Sequence, residues 1–165
     1  MKIQILDTRA CGAMRAQLVD LLLDAVAHGG WLGMPTPVDS GAARRYWDGV
    51  DARVADGSCL LLAAVHEGTL VGAVQLDLCR QPHGEKQAEV QKMMVHSRAR
   101  RRGIGSVLLR AVEAEAKALG RDLLFLDTEA GSGAEQLYHG LGYTCVAEMP
   151  EAACIPHGDA RPTAI

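Results

Sequence analysis

The stretch that most constrains this chain runs from residue 88 to residue 128. "AEVQKMMV" (88–95) reads as a strand and "HSRARRRGIG" (96–105) as a turn. Apolar positions 104, 107, 108, 111, 112 and 119 mark one face of a helix, and "LLFLDT" (123–128) is apolar enough for a strand covered on both faces. Glu113 and Lys117 form a favourable i,i+4 pair on that helix, and Gly120 lies past its end. A strand, a helix and a second strand close as a βαβ unit. Its strands are parallel, its crossover is right-handed, and other layers must cover it.

The flanking sequence supplies those layers. "KIQILD" alternates as a short strand, and apolar positions 14, 18, 21, 22, 25 and 26 form a helical stripe that Gly29 and Gly30 stop. "WLGMPTPVDSG" (31–41) is a loop by its Gly and Pro content, and Asp39 or Ser40 caps a second helix. Residues 58–79 read as two strands joined at Glu67-Gly68. After the βαβ unit come a short helix in "SGAEQLYHGLGY", a strand "TCVAEM" (144–149), a loop (150–162), and "TAI", which begins a last strand that the sequence does not complete. The order β-α-α-β-β-β-α-β-α-β predicts a single α/β (α+β) domain over residues 1–165, with one mixed sheet and helices on both faces. Gln91 and Lys92 stand side by side in a strand that should be central. Strict alternation would bury one of them, so a bulge is expected there.

Four of the five residues 98–102 are arginine, which raises a nucleic-acid reading. A net charge of −3 and aromatics placed far from the run (Trp31, Tyr46, Trp47, Phe125) speak against it. The alternative is an anion site. Gly103, Ile104 and Gly105 open a helix whose first N–H groups have no helical acceptor and lie at the positive end of its dipole. "GIGSVL" also imitates the dinucleotide fingerprint, with Asp127 24 residues after Gly103. It has Leu108 in place of a third small residue, however, and seven residues separate the strand from the first glycine. A Walker loop fails for want of G-K-[ST]. Five cysteines without C-x-x-C and six scattered histidines predict no metal site and reduced thiols in a cytoplasmic protein. Cys145 and Cys154 read as packed thiols, since no Cys-His pairing supports an acyl-cysteine. No apolar run approaches membrane length, and the first residues lack a signal-peptide core.

Residues 100–105 spell R-x-x-G-x-G, and "AEQLYHGLGY" (134–143) has the form A-x-x-L-Y-x-x-L-G-Y. With the strand "MMV" before the loop and the amphipathic helix after it, these motifs resemble those of the GNAT N-acetyltransferase superfamily, whose element order is also similar. "GSCLLLAAV", "LDTEAGSGAEQLY" and "HGDARPTAI" narrow the resemblance to a branch that acetylates amino-acid-like toxins such as tabtoxinine-β-lactam, a resistance function. The resemblance implies acetyl-CoA as cosubstrate and a parallel strand pair that splays to admit it. Arg100, Arg101 and Arg102 would flank the pyrophosphate and 3′-phosphate. The backbone of Gly103, Ile104 and Gly105 and the Ser106 hydroxyl would hold phosphate oxygens. The backbone of Met94 and Val95, and Ser132, would meet the pantetheine arm. The family places an asparagine just after the strand ending "LDTEAG", which is absent here, so Asp127, Thr128 or Ser132 would substitute.

The chemistry needs a neutral amine, a polarised thioester and a proton for the thiolate. A lysine-like amine is only about 0.04% neutral at pH 7, a peptide α-amine about 10%. A base therefore helps. Glu89 resembles the catalytic glutamate of the histone-acetyltransferase branch, Asp127 ends the neighbouring strand as a second carboxylate, and Tyr138 matches the tyrosine that protonates the departing thiolate. Against these roles stand a solvated strand charge, a loop cap and a packing tyrosine. The expected acceptor is a small-molecule amine, with no nucleic acid and no membrane. A protein or peptide N-acetyltransferase and a non-catalytic acyl-CoA sensor are the alternatives. The unfinished last strand leaves a homodimer open as the source of that edge.

Overall fold

The computed structural model describes residues 1–30, 32–34, 37–81, 83–153 and 161–165, with backbone alone at 150–153 and 161. Strand β1 (Lys2–Leu6) is followed by helices α1 (Thr8–Ala27) and α2 (Ser40–Ala55). Strands β2 (Cys59–His66), β3 (Thr69–Leu78) and β4 (Gln87–Val95) then form a meander. Helix α3 (Ile104–Ala118), strands β5 (Leu123–Phe125) and β6 (Thr128–Glu129), helix α4 (Gly133–Gly140) and strands β7 (Glu148–Ala153) and β8 (Arg161–Ala164) complete it. Asp7, Asp39 and Ser132 cap α1, α2 and α4, each accepting from the backbone N–H three residues on.

The first five strands form one sheet in the order β1-β2-β3-β4-β5, antiparallel except for the parallel pair β4–β5. Alternating side chains of β2 and β3 fill two cores. Leu61, Ala63 and Ala73 face α1 and α2 with Leu18, Leu22 and Trp47. Leu62, Val74 and Leu76 face α3 and α4 with Leu108, Leu109 and Val112. At about 25 cal/mol per Å² these two layers are the main source of stability. No helix among the described residues is long and apolar enough to cross a membrane.

Three expectations are corrected. The strand predicted over 123–128 is two strands: β5 pairs with β4, whereas β6 pairs with β8 in a separate three-stranded sheet ordered β6-β8-β7. The strand expected at 144–149 lies later, at Glu148–Ala153, because its register is set by β8, with Glu148 opposite Ala164. The last strand, read as unfinished, is formed by the chain itself as β8, so no partner is needed to supply that edge. Cys154 and most of the loop expected before "TAI" lie outside the described residues, as do Trp31, Pro35 and Thr36 of the first loop.

Candidate active site

The parallel pairing of β4 with β5 covers only Gln87–Leu123, Ala88–Leu124 and Glu89–Phe125, and beyond it the strands part. Two features explain why. On the β3 side, Gln75 faces Gln91 and Ala73 faces Met94, so β4 carries one residue more than its partner. Lys92 takes the bulged position with φ +50°, a left-handed conformation that strains a non-glycine residue. On the other side, the chain turns at Leu126-Asp127 from one sheet into the next. Sequence alternation located the bulge; nothing in the apolar run 123–128 located the turn.

Glu89 therefore stands at the apex of the opening. It is half-buried, and its carboxylate accepts from Gln91 Nε2 at 2.7 Å. Its antiparallel partner is Asp77, which pairs with Arg53 Nη1 at 2.8 Å. Arg53 Nη2 donates to Gln75 Oε1 at 2.6 Å, and Gln75 Nε2 donates to the Tyr46 hydroxyl at 2.6 Å. This network satisfies a wholly buried glutamine and fixes the sheet face beside Glu89. It has no signal in the sequence, because its members come from α2 and β3. Asp127 is exposed at the turn after β5, two residues past the partner of Glu89, and so lies across the opening rather than beside Glu89.

Tyr138 on α4 is 9% exposed and packs against Tyr143 with ring centroids 5.8 Å apart. Burial first, and then the Asp127 charge, push its phenol up to about 12, so it is a protonated hydrogen-bond donor throughout the neutral range. Tyr143 is the less buried of the two and packs against the same core. Burial and the adjacent Glu113 carboxylate push its hydroxyl up as well.

The basic loop divides unexpectedly. His96 donates to Val71 O at 3.0 Å, so by alternation the Met94 backbone also turns toward β3 while that of Val95 faces the opening. Arg100 Nε donates to Val95 O at 3.1 Å and its Nη1 to His28 O at 3.2 Å, tying the loop to the end of α1. Arg101 and Arg102 are exposed and make no ion pair among the described residues. Gly103 adopts φ +75° as the N-cap of α3 and offers no side-chain cap, leaving the N–H groups of Ile104, Gly105 and Ser106 directed outward. Gly105 is needed for another reason: a Cβ there would lie 2.9 Å from Leu137 Cδ2 of α4. Ser106 is half-buried at the helix start. Ser132 accepts from Glu135 N at 3.2 Å in capping α4, a bond that does not use its hydroxyl proton.

Behind the loop is a brace absent from the sequence reading. Asp24 of α1 accepts from Ser97 N and from Ser97 Oγ, both at 2.7 Å. His96, 8% exposed, lies between Asp24 and Asp20, 3.3 Å from each.

Two further features lie apart from the opening. A cavity of about 860 Å³ between α3, β5 and α4 is lined by Leu124, Leu126, Leu141, Tyr143 and Val146, and it shares Phe125 and Tyr138 with the edge of the opening. Glu135, Cys145 and Glu148 bring ligand-type atoms within 4.8 Å of one another. Two of the three already have protein partners: Glu135 accepts from Gly131 N and pairs with His139, and Cys145 donates to Ala147 O. Cys145 is half-buried rather than the packed thiol expected, whereas Cys11 and Cys59 are buried, which raises each thiol to about 11.

A strand edge opened beside a glycine-started helix N-terminus suits a protein that lays an extended, phosphate-bearing ligand along the strand. Residues 27–143 match the profile of the Acetyltransferase (GNAT) family. Over 129 residues the chain is 30% identical to an L-methionine sulfoximine/L-methionine sulfone acetyltransferase of Pseudomonas paraeruginosa (strain DSM 24068 / PA7), covering 78% of this chain and 73% of that protein. It superimposes on yncA, a putative acetyltransferase from Salmonella typhimurium solved with its cofactor acetyl-CoA, with a TM-score of 0.78, 22% identity and coverage of 99% and 90% of the two chains. It superimposes equally on a ribosomal-protein-alanine N-acetyltransferase from Brucella melitensis, with a TM-score of 0.79, 23% identity and coverage of 99% and 96%. These two likenesses show the shared fold. The chain belongs to the GNAT acetyltransferase family, and it is an N-acetyltransferase that uses acetyl-CoA.

Proposed function

We propose that the protein transfers acetyl from acetyl-CoA to the amine of a small amino-acid-like molecule, by direct attack in a ternary complex. The observation that carries this is the parting of β4 from β5 immediately beyond Glu89, which sets a carboxylate at the apex of an opening edged by the outward Val95 amide, with Tyr138 near enough to the Asp127 turn to feel its charge. The relative in Pseudomonas paraeruginosa, named for two amino-acid derivatives, supports an acceptor of that size. The narrower likeness, to the tabtoxin resistance protein, makes tabtoxinine-β-lactam a second acceptor of the same class.

The outward N–H groups of Ile104, Gly105 and Ser106, with Arg101 and Arg102, hold the pyrophosphate. Arg100 spends two of its five N–H donors on Val95 O and His28 O and has the rest for it, and Val95 N–H meets the pantetheine arm. The amine approaches from the α1–α2 face. Glu89 takes its proton, with Asp127 across the opening as a second carboxylate. The nitrogen then attacks the thioester carbon. Collapse of the tetrahedral intermediate forms the amide and breaks the C–S bond. The second proton shed by the attacking nitrogen as the amide forms goes to the leaving thiolate; a phenol near 12 is a weaker acid than a thiol near 8.5, so Tyr138 supports that sulfur as a hydrogen-bond donor and keeps its own proton.

Incubation with acetyl-CoA and L-methionine sulfone, L-methionine sulfoximine, tabtoxinine-β-lactam or a short peptide, followed by free thiol, tests the reading. Turnover is expected on the amino-acid derivatives. Thermal stabilisation by acetyl-CoA without turnover on any amine would mark a sensor, and turnover on the peptide alone a protein acetyltransferase. Tyr138→Phe should lower kcat by roughly 10²-fold with little change in the KM for acetyl-CoA. Undiminished activity would remove Tyr138 from the reaction.

A further inference from the structure

Lys92 is the residue of β4 whose charged side chain neither the bulge nor the acyl-donor site uses. It holds φ +50° at the bulge, and a strained conformation at a non-glycine residue persists only where the surroundings impose it. It is half-buried, and its Nζ lies 3.5 Å from where a Cβ on Gly33 would stand, so the side chain leans toward the connection between α1 and α2. That connection packs Leu32 and Met34 into the α1–α2 core, on the sheet face that carries Glu89.

Several other charges on the elements packed on this face have partners. Arg53 pairs with Asp77, Arg15 with Asp48 and Asp51, and Asp24 with Ser97, His28 and His96. Lys92 makes no hydrogen bond or ion pair among the described residues, and Glu89, three residues earlier, is not within ion-pairing distance of it. Two unneutralised charges of opposite sign thus stand along one strand, separated by about 10 Å of backbone at roughly 3.3 Å per residue. Side chains of their length are long enough for both to reach one small ligand that carries an ammonium and a carboxylate on a single carbon.

We propose that Lys92 recognises the α-carboxylate of the acceptor, so that the enzyme selects zwitterionic α-amino acids, with the ammonium at Glu89 and the carboxylate at Lys92. This rests on the small-amine reading above and specifies it. Both charges of the acceptor are then matched, and deprotonation by Glu89 leaves the nitrogen held at the thioester by the carboxylate anchor. An acceptor without that carboxylate leaves the Lys92 ammonium unpaired in a filled cleft, an unfavourable burial of charge.

The test compares kcat/KM for L-methionine sulfone and its carboxamide, with wild type, Lys92→Met and Lys92→Arg, all checked for an unchanged melting temperature. The wild type should prefer the free acid by on the order of 10- to 100-fold, expressed in KM. Lys92→Met should bring the ratio of acid to carboxamide to about one without changing the KM for acetyl-CoA, and Lys92→Arg should retain a preference for the acid. Calorimetry of the free acid against the protein saturated with CoA reads the same anchor without turnover and should show the same loss in Lys92→Met. Equal use of acid and carboxamide by the wild type, or a preference that survives in Lys92→Met, overturns the role of Lys92 and leaves the acetyl transfer standing. Failure to acetylate either compound or any other amine overturns the transfer reading and this inference together.

Discussion

Replacing Asp24 by Asn tests the brace that holds the phosphate loop. The Asp24 side chain is 10% exposed and accepts two bonds from Ser97, both at 2.7 Å. An asparagine can keep both contacts: its oxygen accepts from Ser97 N, and its amide donates to the Ser97 hydroxyl, which rotates to accept. What disappears is the charge. Two charge-assisted bonds of roughly 1.5–3 kcal/mol become neutral bonds of about 1 kcal/mol, a loss of about 2 kcal/mol. For a chain of this size that lowers Tm by roughly 4–8 °C. The sign with pH is fixed. Burial raises the Asp24 carboxyl, but the Ser97 bonds and the His96 and His28 rings outweigh it and hold the group below the usual 3.8. A depressed folded value means that the stabilisation is present above that pH and is lost as pH falls through the folded value. Urea midpoints of wild type and Asp24→Asn should therefore differ at pH 7 and at pH 5 and converge below about pH 3.8. The KM for acetyl-CoA should rise several-fold, because Ser97 opens the segment that ends at Gly103. A variant within 0.5 kcal/mol of wild type at pH 7 (~0.5 being the usual surface scatter), or a gap that widens on acidification, would refute the brace.

The two glycines of the loop should respond differently. At Gly103 a Cβ meets nothing within 4 Å and only φ +75° is at stake, so Gly103→Ala should cost about 1–2 kcal/mol in chemical denaturation and Gly103→Asn less. Equal costs would show that φ is not the constraint. At Gly105 the added methyl presses on Leu137, so Gly105→Ala should reduce kcat through the adjacent Tyr138, and Leu137→Ala in the same chain should restore part of it. No recovery in steady-state kinetics would sever that link. Arg100→Ala should lower Tm because it removes the two carbonyl contacts. Arg101→Ala and Arg102→Ala should raise the KM for acetyl-CoA, most at low salt, with Tm unchanged; the reverse pattern would overturn the division.

The βαβ unit was legible because its periods change cleanly at Val95 and Gly120, and α3 begins at Ile104 as its apolar stripe required. Of the two caps weighed for α2, Asp39 is the one that accepts, whereas Ser132, read for the pantetheine arm, caps α4. What failed depends on partners far along the chain. A wholly apolar "LLFLDT" has no alternation to show where it leaves one sheet for the other. Val146 drew the predicted strand too early, yet it is 78% exposed, because pairing with β8 and not β propensity sets β7. In the site, the motif located the loop and Tyr138 without distinguishing the jobs of like residues. Arg100 holds protein carbonyls while Arg101 and Arg102 do not, and that difference depends on where α1 ends. The Arg53–Gln75–Tyr46 network and the Asp24 brace join residues 22 or more positions apart, beyond the reach of any local pattern.

These long-range contacts bear on the order of events in the reaction. One end of the brace is α1, whose last carbonyl receives Arg100 and whose chain then continues into the connection that Lys92 approaches. The other end is the loop whose outward amides, in the function proposed, hold the acyl donor's phosphates. Anything that orders residues 97–103 therefore also orders the start of the acceptor-side connection, because Asp24 and Arg100 make both ends one unit. In the same proposal the acyl donor would supply a partner for the outward Val95 amide, which β5 does not reach. Donor binding thus completes the strand edge and tightens the wall of the acceptor site in one step, and the physically favoured sequence is acyl donor first, amine second. Linkage then requires the amine to bind more weakly to the free protein than to the CoA-bound protein by the factor with which it strengthens CoA binding.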